Sequence, residues 1–278
     1  MTMISDSPIP AIALIATTPR VELLQNRALP SIQRQSHPPE AVVIVADQRK
    51  LTAEETKASI AAVPAVPAYF ITNALKRGVA GAWNTGLNFI AERWPACYVA
   101  ILDDDDEWDL DHVETCIRTA CRSGWPDVVV SGLRILRDGE EIPRSPPESL
   151  HVDDFLVGNP GWQGSNTFVS IQTLLKVGMF TEGLASTNDR DLAIRILSQP
   201  QSRIAFTGKH TTTWNIDSHR ICLSSPGSAE KSRGLASFLR LHGNRMTPEI
   251  RDQFYRRAQQ LFGLTPEDIL KAQETFAA

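Results

Sequence analysis

The chain has 278 residues, 42% of them apolar and 22% charged, with a formal net charge of −4. That is the composition of an ordinary globular protein, long enough for one large α/β domain or two small ones, and its mild acidity gives no footing for a general phosphate-backbone binder. Four cysteines with neither a CxxC pair nor zinc-ligand spacing exclude a disulfide scaffold, and no apolar run reaches the roughly 18 residues of a membrane span. Near the N-terminus Asp6 lies among Ser and Pro instead of a positively headed apolar leader, so cytoplasmic residence is the default.

In chain order, the Ile- and Val-rich runs "IPAIALIATT" and "AVVIVAD" read as strands. Between them "RVELLQNRALPSIQRQ" reads as a helix that Pro30 bends or divides. "AYFITN" gives a third strand, "GAWNTGLNFIAERW" an amphipathic helix with Trp83, Leu87 and Ile90 on one side, and "CYVAILD" a fourth strand. "DLDHVETCIRTACRSG" then reads as a helix and "DVVVSGLRIL" as a strand. Apolar strands alternating with helices predict a largely parallel sheet covered on both faces. Residues 137–155 are polar and proline-punctuated, which predicts a hairpin or loop excursion. "GNPGWQGSNTFVS" places a Gly-rich turn before a strand, "IQTLLKVGMF" is a short helix, "TNDRDLAIRILSQ" a helix with an acidic first turn, and "SRIAFTG" a strand. From Thr211 to about Gly234 there is little periodicity and "LSSPGSAEKSRG" reads as mobile; "EIRDQFYRRAQQLFG" and "TPEDILKAQETF" close the chain as helices.

The strongest chemical signal is "AILDDDDEW", four aspartates at the end of a strand, where α/β sheets bind their ligands. Adjacent carboxylates raise one another's ionisation energy and need water, cationic side chains or a metal. Two of them spaced one residue apart can hold a hard divalent cation whose shell is completed by diphosphate oxygens and water. The alternative is a solvated helix N-terminus. A second acidic group, Asp189 and Asp191, opens a helix: either Thr187 or Asn188 caps it, or Asp189 points into the cleft as a general base. Trp162 and Gln163 either line a sugar pocket or pack a turn. His219 and Arg220 either complete metal coordination and clamp a diphosphate or belong to a solvated loop, and Lys76 and Arg77 either approach phosphate or are ordinary exposed cations. Neither a G-x-S-x-G elbow, an HExxH motif nor a P-loop ending occurs.

Taken in order, these segments resemble the inverting glycosyltransferases of the GT-A fold, the large family-two class that uses nucleotide-activated sugars. "ATTPR" resembles the loop after that family's first strand, and "SIQRQSHPPEAVVIVAD" the segment ending at its base-reading aspartate. "NALKRGVAGAWNTGL" resembles its Asn- and Gly-bearing region beside the nucleotide, and "ILDDDDEW" its Asp-x-Asp metal motif. "GSNTFVSIQTLLKVGMFTEGLASTNDRDLAIRI" resembles the donor and acceptor segment that ends at the catalytic acids. The resemblance covers about residues 10 to 210.

The resemblance implies an α/β fold of GT-A type, a mostly parallel central sheet flanked by helices, with C-terminal helices. It divides the chain into a catalytic unit at 8–215, with a nucleotide-binding half at 8–110 and a donor and acceptor half at 111–215, and a loop and helical extension at 216–278. It implies that Asp47 accepts from a pyrimidine N–H, with Thr17, Thr18 and Arg20 as the adjacent wall, and that Asn73, Arg77, Gly81 and Asn84 lie beside the nucleotide. Asp103 would face the ribose or a metal-bound water with Asp104 beside it, Asp105 would be the principal ligand of Mn²⁺ or Mg²⁺ with Asp106 as the alternative, and Asp189 would be the catalytic base. Asn188 stands where the family has glutamate, and "VADQRK" lacks the acidic or Ser residues that follow the base reader in many relatives. The implied reaction moves a sugar from a UDP-sugar to a hydroxyl of an unidentified acceptor, a glycan, lipid-linked sugar, natural product or peptide, with no nucleic acid and no transmembrane segment. A homodimer stays open. Rival classes are a non-catalytic nucleotide-sugar or carbohydrate-binding module and a sugar-phosphate nucleotidyltransferase. The latter wants a Gly-rich triphosphate loop that "IATTPRVEL" does not provide.

Overall fold

The computed structural model describes residues 9–219 and 227–274. Strand β1 (Ala11–Thr17) leads into one helical run made of α1 (Val21–Leu23), a π-helical turn at Leu24–Ala28 and α2 (Leu29–Gln33). Pro30 lies in the first turn of α2. Its ring and missing N–H disrupt an α-helical ladder, and the widened turn ahead of it absorbs the misfit, so the run is neither divided nor regular. Next come β2 (Ala41–Ala46), α3 (Ala53–Ala62), β3 (Ala68–Thr72), α4 (Val79–Arg93) and β4 (Tyr98–Asp103). Helix α3 was not expected from apolar periodicity. A capping box starts it: the Thr52 hydroxyl accepts from the Glu55 N–H at 3.1 Å, and the Glu55 carboxylate accepts from the Thr52 N–H at 2.8 Å.

Past the aspartates the chain forms β5 (Glu107–Trp108), α5 (His112–Arg122), β6 (Val128–Arg137), β7 (Glu140–Ile142) and α6 (Val152–Val157). The excursion at 137–155 therefore contains the hairpin its sequence predicts and also a helix it does not. A 3₁₀ turn at Gly164–Asn166 precedes β8 (Thr167–Ser170), α7 (Ile171–Lys176), α8 (Asn188–Leu197) and β9 (Ile204–Ile216). Helices α9 (Ala229–His242), α10 (Pro248–Phe262) and α11 (Pro266–Glu274) follow. The aperiodic stretch from Thr211 is thus ordered at both ends: β9 continues to Ile216, and α9 begins where mobility was expected.

The sheet runs in the order β3-β2-β1-β4-β8-β6-β9-β5, with β7 paired to β6. Its long pairings, β1 with β2 and β4, β2 with β3, and β6 with β9, are parallel; the short ones through β5, β7 and β8 are antiparallel. Both faces are covered, which is why the central strands read as continuous apolar runs. Ile12 and Leu14 of β1 join one core with Leu87 and Ile90 of α4, while Ala13 and Ile15 join the other with Leu29 and Ile32 of α2. Leu235 and Phe238 of α9, Phe254 of α10 and Ile269 of α11 belong to the first of these cores, so the C-terminal helices pack into it. No described helix is long and apolar enough to cross a membrane.

Helix α4 can lie close on the sheet because residue 86 is glycine: a Cβ there would collide with Leu14 Cδ1 and sit 2.9 Å from Val45 Cγ2. Gly86→Ala should therefore cost about 1–3 kcal/mol by overpacking, read as a lower urea midpoint at unchanged slope. An unchanged midpoint would show that the helix moves freely away from the strands.

Candidate active site

At the end of β4 the four aspartates alternate in exposure: Asp104 and Asp106 are buried, whereas Asp103 and Asp105 are partly accessible. The buried pair is tied down. Asp104 accepts from the Thr17 hydroxyl and from Arg20 through Nε at 3.3 Å and through Nη2. Burial pushes its carboxyl up to about 6 against the pull of Arg20. Asp106 accepts from the Ser165 hydroxyl at 2.6 Å and the Asn215 N–H at 3.0 Å, and burial together with Asp105 pushes it up to about 8. The same Ser165 oxygen accepts from the Asp103 N–H at 3.1 Å, so one hydroxyl fixes the strand end and its last acid.

The open pair is less compensated. Asp105 takes one bond at 2.7 Å from Arg20 Nη1, and its carbonyl accepts from Arg27 Nη1 at 2.7 Å. Burial works against the Arg20 charge, but Asp104 and Asp105 outweigh it and hold the guanidinium protonated above its usual range. Asp103 is held well above the ordinary carboxyl range by burial and then by Asp106, Asp105, Asp189 and Asp104. Asp189 thus shares its electrostatic environment with the aspartate run.

Asp189 and Asp191 diverge on α8, where neighbouring side chains turn by about 100° per residue. Asp189 is partly accessible and its carboxyl is pushed up to about 7 by burial, with the Lys231 charge and the Gly164 N–H pulling the other way. Asp191 is buried and saturated: it accepts from Arg195 Nε and Nη2 at 3.0 and 2.7 Å, from Thr181 Oγ1 at 2.7 Å, and bonds His242 Nε2 at 2.9 Å. Burial opposes its charge, but His242 and Arg195 together hold the carboxyl down at about 2.

On the β1–β2 side, an open recess of about 440 Å³ is lined by Thr18, Pro19, Arg20, Gln48 and Arg49. Beside it the Asp47 carboxylate accepts from the Gly78 N–H at 3.0 and 3.1 Å and from Asn73 Nδ2 at 2.6 Å, which holds the 73–78 loop at the start of α4. Arg77 is exposed in that loop. Gly81 meets no side-chain group: a Cβ there would collide with the Lys76 carbonyl.

Several sequence expectations are not brought to this cleft. Asn84 is buried, donating to the Phe180 carbonyl and accepting from its N–H, both at 2.9 Å, so its amide is used up in packing. Trp162 is a core residue, 1% exposed, with Nε1 on Thr167 Oγ1 at 2.7 Å; the turn-packing alternative holds for it. Gln163 is partly accessible beside Gly164. His219 is exposed by the β6–β7 turn, where its charge bears on Asp138, and makes no contact with the aspartate run. Arg220 lies outside the described residues. Ser165, Asn215 and Lys231 were missed. Ser165 lies inside a quoted motif whose aromatic and amide drew attention first, and the other two lie in the stretch without periodicity.

The family model described as glycosyl transferase family 2 matches residues 22–184. Among solved structures, S. aureus TarS 1–349 in complex with UDP-GlcNAc is similar with TM-score 0.60 at 15% identity, over 94% of this chain and 83% of that one. The same TarS fragment alone gives 0.62 at 14% identity over 95% and 81%. Mannosyltransferase PcManGT from Pyrobaculum calidifontis in complex with GDP-Man and Mn²⁺ gives 0.52 at 15% identity over 98% and 75%. At such identities the likeness is one of fold. Among curated proteins no sequence matches this chain.

Because Asp191 answers Arg195 and His242, Asp191→Asn should lower unfolding free energy by about 2 kcal/mol. Its contribution is present above the unfolded carboxyl pKa and fades as pH falls toward 2, so the gap between wild type and variant should narrow in acid. Denaturant titrations at neutral and acidic pH check this; a constant gap would remove the ion pair as its source.

Proposed function

The chain belongs to glycosyl transferase family 2 and has the GT-A fold, and on that basis we propose that it transfers a sugar from a UDP-sugar to an acceptor hydroxyl with inversion, assisted by Mn²⁺ or Mg²⁺. One observation carries the reading: Asp103, Asp105 and Asp189 share an acidic, partly open environment, while Asp104, Asp106 and Asp191 are each consumed by bonds to the scaffold. The structures of TarS with UDP-GlcNAc and of PcManGT with GDP-Man and Mn²⁺ support a nucleotide-sugar donor and a divalent cation.

Among the described residues no three His, Cys, Asp or Glu side chains are grouped as a metal cage. The donors that are present, carboxylate oxygens of Asp103 and Asp105 with excess negative charge around them, fit a hard cation of the kind that takes one or two carboxylates and completes its shell with substrate phosphates. When bound, such a cation neutralises charge gathering on the departing diphosphate. Arg20 keeps Asp105 aimed and Asp104 neutralised, and Asp47 holds the loop beside the nucleotide recess while offering its carboxylate to a pyrimidine N–H. Asp189 takes the proton of the attacking hydroxyl; a carboxyl near 7 is matched to that task at neutral pH. In-line attack opposite the leaving nucleotide inverts the anomeric carbon.

Incubation with UDP-sugars and candidate acceptors, followed by UDP release and product analysis, tests the reading. Asp189→Asn should cut transfer on the order of 10²–10⁴ fold with UDP affinity retained, and near-normal transfer would overturn the assignment. In the wild type kcat/KM should rise with pH through about 7 as Asp189 loses its proton. Asp105→Ala should abolish the stimulation by Mn²⁺ and weaken Mn²⁺ binding measured in the presence of UDP; unchanged metal affinity would remove Asp105 as the ligand.

A further inference from the structure

Three arginines from three parts of the chain converge on one short stretch of backbone. Arg190 turns away from the cleft that Asp189 faces and is buried, donating through Nε to the Phe155 carbonyl at 2.8 Å and through Nη2 to that of Leu156 at 3.0 Å. Its guanidinium lies 4.0 Å from the centre of the Phe238 ring. Arg144, in the loop ahead of α6, donates through Nη2 to the Pro160 carbonyl, and a Cβ on Gly161 would sit 2.9 Å from the same nitrogen. Arg257 of α10 lies across Gly158, where a Cβ would collide with its Nε and sit 2.7 Å from Cζ. Glycines thus occupy both points where a guanidinium crosses the backbone.

No carboxylate of the described residues pairs with these charges. Among the described residues none of the three is in an ion pair; Asp154 of α6 caps the His151 N–H, and Asp252 of α10 is held by Arg256. Burial and then Arg257 push Arg190 down to about 9, and the same two causes lower Arg144. Arg190 is satisfied by carbonyls at the end of α6 and by an aromatic face. Arg144 spends one nitrogen on a carbonyl, and exposed Arg257 donates to none of the described residues. Two guanidiniums lying over Gly158 and Gly161, one of them bonded to the Pro160 carbonyl and both with N–H groups to spare, match the fork geometry of an oxyanion.

We propose that Arg144 and Arg257, backed by Arg190, form an oxyanion site for a phosphate group, and that the acceptor carries this phosphate. The turn leads directly to Gly164, whose backbone bears on the Asp189 carboxyl, and the three residues from Gly161 to Gly164 span at most about 10 Å. A phosphate one or two sugar units from the reacting hydroxyl reaches both places. The acceptor half rests on the glycosyltransferase reading above; the oxyanion site itself does not.

The test titrates inorganic phosphate into protein saturated with UDP, so that the donor site is already filled, and follows the heat. Wild type should bind phosphate, Arg144→Gln and Arg257→Gln should each weaken binding about tenfold or more, and Arg257→Lys should retain part of it, with UDP affinity unchanged throughout. Absence of phosphate binding by the UDP-saturated wild type, or equal binding by both Gln variants with native circular dichroism, overturns the site. Failure of the wild type to bind UDP strikes the glycosyltransferase reading instead and leaves the phosphate result standing. Paired acceptors differing only in a phosphate then identify its source. A lower KM for the phosphorylated acceptor, lost in Arg257→Gln, places it on the acceptor. Equal KM values in wild type overturn that half and leave free phosphate as the ligand.

Discussion

Strand β4 ends at Asp103, and the turn that follows, closed by the Asp106 N–H on the Asp103 carbonyl at 3.2 Å, must accommodate four carboxylates in a row. The even-numbered pair faces protein and is answered there, Asp104 by Thr17 and Arg20, Asp106 by Ser165 and Asn215. The odd-numbered pair faces the cleft with only Arg20 to offset it. Position in this turn, more than residue type, therefore separates anchors from groups free to meet a ligand. The bonds on the buried side are what hold the turn in this arrangement.

The same sorting operates on α8 with a helical period. Asp189 and Asp191 are two residues apart, which places them on different sides of the helix, one toward the aspartate run and one against Arg195 and His242. Helix α9 contributes to both sides, Lys231 acting on Asp189 and His242 bonding Asp191. It can do so because residue 234 is glycine: a Cβ there would collide with Ser186 Oγ, in the turn that begins α8. The C-terminal helices are thus part of the electrostatics of the cleft as well as of the core.

What the sequence made legible follows from where the signals are local. Strands β1, β2 and β4 are buried on both faces and announce themselves as apolar runs, and four aspartates behind one of them mark the ligand end of the sheet. Helix α3 lacks an apolar stripe, and only Ser59 in it is fully buried, so periodicity could not reveal it; the Thr52 and Glu55 cap could have. Helix α6 is six residues long, shorter than a periodic pattern needs. Asn84 looked like a ligand-binding amide because its backbone partner, Phe180, is 96 residues away and invisible locally. Trp162 misled for a related reason: an indole suits a sugar face and a core equally, and only its neighbours Phe155 and Thr167 decide.

Part of the charge in this cleft is placed by groups that carry none. Asn159 accepts from the N–H groups of Gly161 and Trp162 at 2.8 and 2.9 Å and donates to the Trp162 carbonyl at 2.7 Å, closing the turn on itself. Asn166 then ties Gly161 to the interior through its carbonyl at 2.9 Å, and Trp162 is locked on Thr167. These bonds fix the backbone from 159 to 167, and β8 continues from it as the antiparallel neighbour of β4. An antiparallel partner brings its beginning to the end of the strand it joins, so Gly164 and Ser165 cross the carboxyl end of β4 by topology alone. That crossing lets one hydroxyl reach both the Asp103 N–H and Asp106, and sets the Gly164 backbone where it favours the ionised form of Asp189 on α8. Loosening the turn, which Arg144 also braces through the Pro160 carbonyl, would release both the end of β4 and Asp106.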